Sequence, residues 1–132
     1  MKTPKNSATA APFAYEGLDR VIHERARLSI LTSLMTHPHG LSFLELKQMC
    51  ALTDGNLARH LQVLEEDGMV KLGKEEISAG GRVQTTARIT PAGRKRFLEY
   101  LTTLEQVVRD AAAAVETPDE DLLQRKLAPQ GA

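Results

Sequence analysis

The sequence predicts a mainly α fold with one small β-hairpin, in the order helix, helix, helix, hairpin, helix. Three observations carry the prediction. Two short amphipathic segments between residues 42 and 67 each open on a capping residue. The apolar period then changes from helical to strand-like between residues 69 and 90. A Thr-Pro step at 90–91 finally opens a long segment with a single apolar stripe.

Each element has its own local cause. Leu18, Ile22, Ala26, Ile30, Leu31, Leu34 and Met35 fall on one face of a helix spanning Leu18 to Thr36. The His-Pro-His-Gly run at 37–40 stops that helix. Ser42 stands three residues ahead of Glu45 and just before Phe43 and Leu44, the pattern of a capping box, so a second helix starts there and runs to about Cys50. Thr53 caps a third helix, in which Leu57, Leu61 and Leu64 are spaced i, i+4, i+7 and Gly68 supplies the stop. Residues 69–74 and 82–90 alternate as strands, and Ser78-Ala79-Gly80-Gly81 between them can turn tightly. Pro91 then sits at the first position of a last helix that reaches Ala114 or beyond. Two short helices joined by a three- or four-residue turn and followed by a hairpin make a winged helix-turn-helix.

Composition narrows the function. In 132 residues, 17 Lys and Arg balance 17 Asp and Glu, which excludes a histone-like polycation but leaves room for one basic face. Three Phe, two Tyr and no Trp argue against a single-strand platform of stacked rings. One cysteine, Cys50, cannot form an internal disulfide, and its place at the end of an amphipathic helix suits a small core residue better than a redox switch. No apolar run reaches the ~18 residues of a membrane helix, and the N-terminus lacks a signal-peptide apolar stretch, so a cytoplasmic location with no membrane partner is expected. There is no Gly-rich phosphate loop, nucleophile elbow or convergent acid pair, and hence no expectation of an enzyme. His23, His37, His39, His60 and Cys50 lack paired cysteines or a His-x-x-x-His on one helix, so neither a metal nor another cofactor is expected. His60, near the apolar side of the third helix, reads as packed or bonded to backbone.

The third helix carries the functional signal. With its leucines turned inward at ~100° per residue, the opposite arc holds Gly55, Asn56, Arg59, Gln62, Val63 and Glu66. Asn, Gln and Arg match adenine and guanine edges bidentately in a major groove. Gly55 removes a side chain where a sugar-phosphate backbone could approach, and the helix start at Thr53 offers free N–H groups to a phosphate. The same residues also fit a plain solvated face; their place after a helix-turn favours DNA. The hairpin adds Lys71, Lys74, Arg82 and Arg88, with Arg82 at a glycine-softened tip, although Glu75 and Glu76 at that tip oppose the field. The expected DNA-contacting set is therefore Thr53, Gly55, Asn56, Arg59, Gln62, Lys74, Arg82 and Arg88.

The stretch from Leu18 to about Leu104 resembles the winged-helix transcriptional regulators of the MarR/ArsR-like superfamily. The residues carrying the resemblance are 18–23 and 27–31, then 41–46 and 52–61. Leu64-Glu65-Glu66-Asp67-Gly68-Met69-Val70 and Ile89-Thr90-Pro91-Ala92-Gly93-Arg94 complete it. The resemblance implies dimeric, sequence-specific binding to a double-stranded operator; it names neither the operator nor any small-molecule effector. In the last helix Phe97, Leu101, Leu104, Val108, Ala111 and Val115 are spaced 4, 3, 4, 3, 4, a heptad seam that suggests a second chain, with Leu98 free to face the core. The expected dimer interface is Phe97, Leu101, Leu104, Val108 and Ala111. The expected organisation is a flexible tail over 1–16, a winged-helix domain over 17–116 that includes a dimerisation helix over 91–116, and a mostly flexible tail over 117–132. The alternative function is a winged helix that docks a protein through the third helix without binding DNA, which the near-zero net charge favours.

Overall fold

The computed structural model describes residues 11–76 and 80–115. Its elements are α1 (Arg25–Met35), β1 (Leu41–Ser42), α2 (Phe43–Cys50), α3 (Asp54–Glu66), β2 (Val70–Glu76), β3 (Val83–Ile89) and α4 (Pro91–Ala113). The strands form one antiparallel sheet in the order β1-β3-β2. The chain divides into two compact units: Leu18–Tyr100, and a second made from the chain up to Gly17 with the chain from Leu101 onward. The expected tight turn at Ser78 and Ala79 and the expected C-terminal tail fall outside the described residues.

The first helix is shorter than its apolar spacing predicts. Residues 18–24 form turns, and α1 begins at Arg25. Two carboxylates write that start. Asp19 Oδ1 accepts from the Val21 N–H at 2.9 Å, closing a local turn, and Glu24 caps α1 by accepting from the Arg27 N–H at 2.9 Å. Ile22 is nevertheless fully buried, so an apolar residue at helical spacing fills the core from a turn.

The helix-turn-helix follows its caps. Ser42 Oγ accepts from the Glu45 N–H at 3.1 Å and Glu45 accepts from the Ser42 N–H at 2.8 Å, the reciprocal capping box expected of α2. Leu41 and Ser42 also pair with Ala87 and Thr86, a two-residue strand too short to show a period in the sequence. Ala51 closes α2 in the left-handed region at φ 55. Thr53 Oγ1 then accepts from the Asn56 N–H at 3.2 Å and starts α3, which buries Leu57, His60, Leu61 and Leu64 against α1 and α2. At the far end the Gly68 N–H donates to Glu65 O and the Met69 N–H to Leu64 O, a Schellman stop with Gly68 at φ 78, where a β-carbon would be strained.

The start of α4 is locked to that stop. Thr90 Oγ1 donates to Gly68 O at 2.7 Å and accepts from the Gly93 N–H at 2.8 Å, while the Thr90 N–H donates to Met69 O at 2.9 Å. Arg96 reaches Asp67 Oδ2 at 2.6 Å and Asp19 Oδ2 at 2.7 Å. Partial burial alone would raise the Asp19 pKa, but the Arg96 hydrogen bond and the Val21 N–H hold it below the usual value.

Three expectations are corrected here. Phe97 is 2% exposed within the single chain and its ring stacks on buried Tyr100 with centroids 6.2 Å apart, so it is a core residue. Leu98, expected to face the core, is 48% exposed. The buried positions of α4 are Gly93, Phe97 and Tyr100, spacing i, i+4, i+7, which rotates the apolar stripe away from the seam the sequence suggested at its start. Finally, the expected flexible tail is tied down at one point: residues 11–14 and 16 are exposed, but Tyr15 is half-buried within the second unit. There the Tyr15 hydroxyl donates to Asp110 Oδ2 at 2.6 Å, and that bond pushes its pKa up to about 12. Gly17 abuts Thr103 in the same unit.

At Gly93 the backbones pack closely, because a β-carbon there would overlap the Met69 carbonyl and Cα, which are backbone and cannot swing aside. Gly93→Ala should therefore destabilise the chain by about 1–3 kcal/mol through overpacking, read as a lowered midpoint in thermal or urea unfolding.

Candidate nucleic-acid interface

The exposed arc of α3 is the first part of the site. Asp54, Gly55, Asn56, Ala58, Arg59, Gln62, Glu65 and Glu66 are exposed, and Val63 is half-buried. The structure therefore brings Gly55, Asn56, Arg59 and Gln62 onto one accessible surface, with capping Thr53 at its leading edge. No atom lies within 4 Å of a β-carbon built on Gly55, so the surface is open there. The polar side chains already pair with each other. Arg59 Nη2 donates to Asn56 Oδ1 at 3.0 Å, and Gln62 Nε2 donates to Glu66 Oε2 at 3.2 Å. These exposed bonds stand in place of water and can be exchanged for base edges at little net cost. Lys47 of α2 meets Asp54 of α3 at 2.9 Å and bridges the turn.

The inner face of α3 is anchored by a polar cluster. His60, 6% exposed, has Nδ1 at 3.3 Å from Arg27 Nη1 and Nε2 at 3.9 Å from Glu24 Oε2. The Arg27 guanidinium also donates from Nε to the Val21 carbonyl. His60 thus ties the middle of α3 to the capped start of α1, as a packed histidine rather than a ligand. Desolvation lowers its pKa below 6.5; Glu24 opposes that shift, and Arg59 and Arg27 add to it.

The hairpin residues separate. In the β2–β3 register Lys74 stands opposite Thr85 and Lys71 opposite Arg88. Side chains alternate along a strand, so Lys74 and Arg88 lie on opposite faces of the sheet. Lys74 Nζ donates to Thr85 Oγ1 at 3.3 Å. Arg82 precedes β3 beside the left-handed Gly81, past the last ladder pair Glu76–Val83. Arg88 is at the base of the hairpin and joins neither. Lys71, its cross-strand neighbour, is absent from the expected set; strand alternation on both sides of the turn is the signal that would have paired them.

Other candidates resolve simply. Cys50 is half-buried with Sγ at 3.6 Å from Ser33 Oγ. His37 Nδ1 lies 2.9 Å from Ser33 O, and His23 Nδ1 lies 2.7 Å from the Tyr100 hydroxyl. Among the described residues no three His, Cys, Asp or Glu side chains are grouped as a metal ion requires, and no helix is long and apolar enough to cross a membrane.

A helix-turn-helix whose second helix presents Asn, Arg and Gln, followed by a β-hairpin that β1 joins as a third strand, defines a winged helix. Residues 26–108 match the family model described as winged helix DNA-binding domain, and the chain belongs to that family. The family is defined by DNA binding and not by catalysis, in keeping with the absence of a catalytic constellation in the sequence. An uncharacterized protein of Methanocaldococcus jannaschii is 37% identical over 94 residues, which are 69% of this chain and 96% of the relative. Among solved structures, a transcriptional regulator homologue of Pyrococcus horikoshii superposes with a TM-score of 0.63 at 24% identity, covering 80% of this chain and 97% of the other. A MarR family transcriptional regulator of Streptomyces coelicolor, solved in complex with DNA, gives 0.55 at 22% identity over 97% of this chain and 87% of the other. The fold expected from the residues is the fold found.

A histidine whose folded pKa is depressed withdraws stability on acidification, because the unfolded chain takes up the proton first. The loss begins as pH falls through 6.5 and levels off once the lower folded value is passed. His60→Gln should therefore flatten the stability–pH profile just below 6.5, measured by urea unfolding at a series of pH values.

Proposed function

We propose that the protein is a sequence-specific, DNA-binding transcriptional regulator, a dimeric repressor that lays α3 in the major groove of a palindromic operator and rests the wing on flanking DNA. The observation that carries this reading is the exposed Asn56–Arg59–Gln62 arc on a helix capped at Thr53, in a chain of the winged helix DNA-binding domain family. Gln and Asn suit adenine and Arg suits guanine. The N–H groups at the start of α3 suit a phosphate, and Gly55 leaves room for its backbone. Lys74 and Arg82, toward the wing's outer end, suit phosphates or a minor groove. That the Streptomyces coelicolor regulator of like fold is solved in complex with DNA supports DNA as the partner. The domain would run from 17 to 116, with the second half of α4 as the element that pairs two chains.

The dimer seam rests on α4 beyond the core. Leu101 and Leu104 are half-buried in the single chain, Val108 is 52% exposed and Ala111 is exposed. These four keep the 3, 4, 3 spacing of a coiled-coil stripe once Phe97 is assigned to the core. Burying such side chains contributes roughly 1.5–3 kcal/mol for each fully covered large one, before association costs.

Two measurements test this. The first is affinity against salt for operator and scrambled duplexes, the operator coming from selection on genomic fragments. Arg59→Ala should lose about 1–3 kcal/mol on operator and relax preference at one base step per half-site. Arg82→Ala should weaken both duplexes alike and reduce the salt slope by roughly one per site. Unchanged affinity and preference in Arg59→Ala would move the reading to a protein-docking winged helix. The second is sedimentation at micromolar concentration: the full chain should run as a dimer and Val108→Glu as a weaker-binding monomer, whereas a monomeric full chain would remove the dimer.

A further inference from the structure

The outer face of the wing holds a second cationic site at its base. In the β2–β3 ladder Lys71 stands opposite Arg88, and Gly73 stands opposite Thr86. Alternation puts these four on one face, and it is the face turned from the core, because Val70, Ala87 and Ile89 between them are buried. Lys71 and Arg88 are both exposed, and among the described residues neither meets a carboxylate. Like charges directly opposed on an antiparallel pair repel. Nothing in the packing requires two cations at this rung.

The surface between them is concave. Lys71, Leu72, Gly73, Thr86 and Arg88 line a half-open depression of about 210 Å³. Gly73 forms its floor: a β-carbon there would sit 3.6 Å from Thr86 Oγ1 and begin to fill the space beside the hydroxyl. The depression is smaller than the ~300–1,000 Å³ of drug-sized sites and suits a compact group. Its chemistry is two cations and a hydroxyl donor. The one carboxylate further along the same face, Glu75, lies opposite Gln84, beyond the Gly73–Thr86 rung.

We propose that Lys71, Arg88 and Thr86 form an oxyanion site that takes a phosphate group. Arg88 supplies the planar fork that matches phosphate oxygens, Lys71 a point charge from the facing strand, and Thr86 a hydroxyl between them. The group can come from a free phosphate ester or from a nucleic-acid backbone; the recognition chemistry is the same, and the site does not depend on the reading helix.

The test is a titration of the isotope-labelled full chain with inorganic phosphate, against chloride at matched ionic strength, followed by amide NMR without DNA. Saturable shifts confined to residues 71–73 and 86–88 are expected in the wild-type chain. Arg88→Gln and Lys71→Gln, both surface changes, should each weaken that binding about tenfold or more through one lost charge-assisted contact. Shifts no larger than those with chloride, or shifts that persist in both variants, overturn the proposal. Duplex binding then identifies the source. A salt slope lower by about one in Arg88→Gln, with competition by phosphate, assigns the site to the nucleic-acid backbone. Duplex binding equal to wild type, with phosphate binding lost, assigns it to a free phosphate ester. Loss of the Arg59-dependent reading would leave the phosphate titration unchanged, so the two proposals fail separately.

Discussion

The structure turns on one junction, where the end of α3, the start of β2 and the start of α4 meet. Thr90 holds the Gly68 and Met69 carbonyls, Gly93 lets the α4 backbone lie against Met69, and Arg96 clasps Asp67 and Asp19. A winged helix must hold its reading helix and its wing in one relative orientation, because DNA offers groove and flanking phosphates at a set spacing. Here backbone carbonyls and one guanidinium join the core in setting that orientation. Bidentate and charge-assisted bonds are directional, so they fix angles that apolar packing alone would leave loose.

The same logic explains the two faces of α3. Its inner face buries three leucines and His60, and its outer face presents polar groups that satisfy one another. Arg59 rests on Asn56 and Gln62 rests on Glu66, so the polar groups of the outer face are partnered within the helix. Asp54, Glu65 and Glu66 on the exposed surface set a limit on non-specific attraction.

What could be read in advance depended on how local each cause is. The capping box at Ser42, the cap at Thr53 and the Gly68 stop are set within a few residues, and each is found where its pattern placed it. The missed features have distant causes. Residues 18–24 carry helical apolar spacing but turn, because Asp19 accepts from the Val21 N–H two residues on and is held by Arg96, 77 positions away. β1 has only two residues, and it exists because β3 comes alongside. The α4 stripe kept its period and lost its phase: with Gly93 and Tyr100 buried beside Phe97, the inward direction differs from that of the 97–101–104 series. Period is a property of the helix; phase belongs to what the helix packs on. At the interface the arc of α3 was legible for the first reason, and the split of Lys74 from Arg88 was not, because it needs the ladder register.

That register is the last step. A hairpin's basic residues look like one cluster in sequence, yet successive positions serve opposite faces. Lys74 opposite Thr85 belongs to the face that, nearer the base, buries Val70 and Ala87; Lys71 and Arg88 belong to the other, where both are exposed. A single basic wing thereby carries two separate electrostatic surfaces. One holds Lys74 beside Thr85; Arg82 stands past the last ladder pair, outside the register. The other stays at the base, next in sequence to Met69 and Thr90, whose backbone hydrogen bond joins the start of β2 to the start of α4.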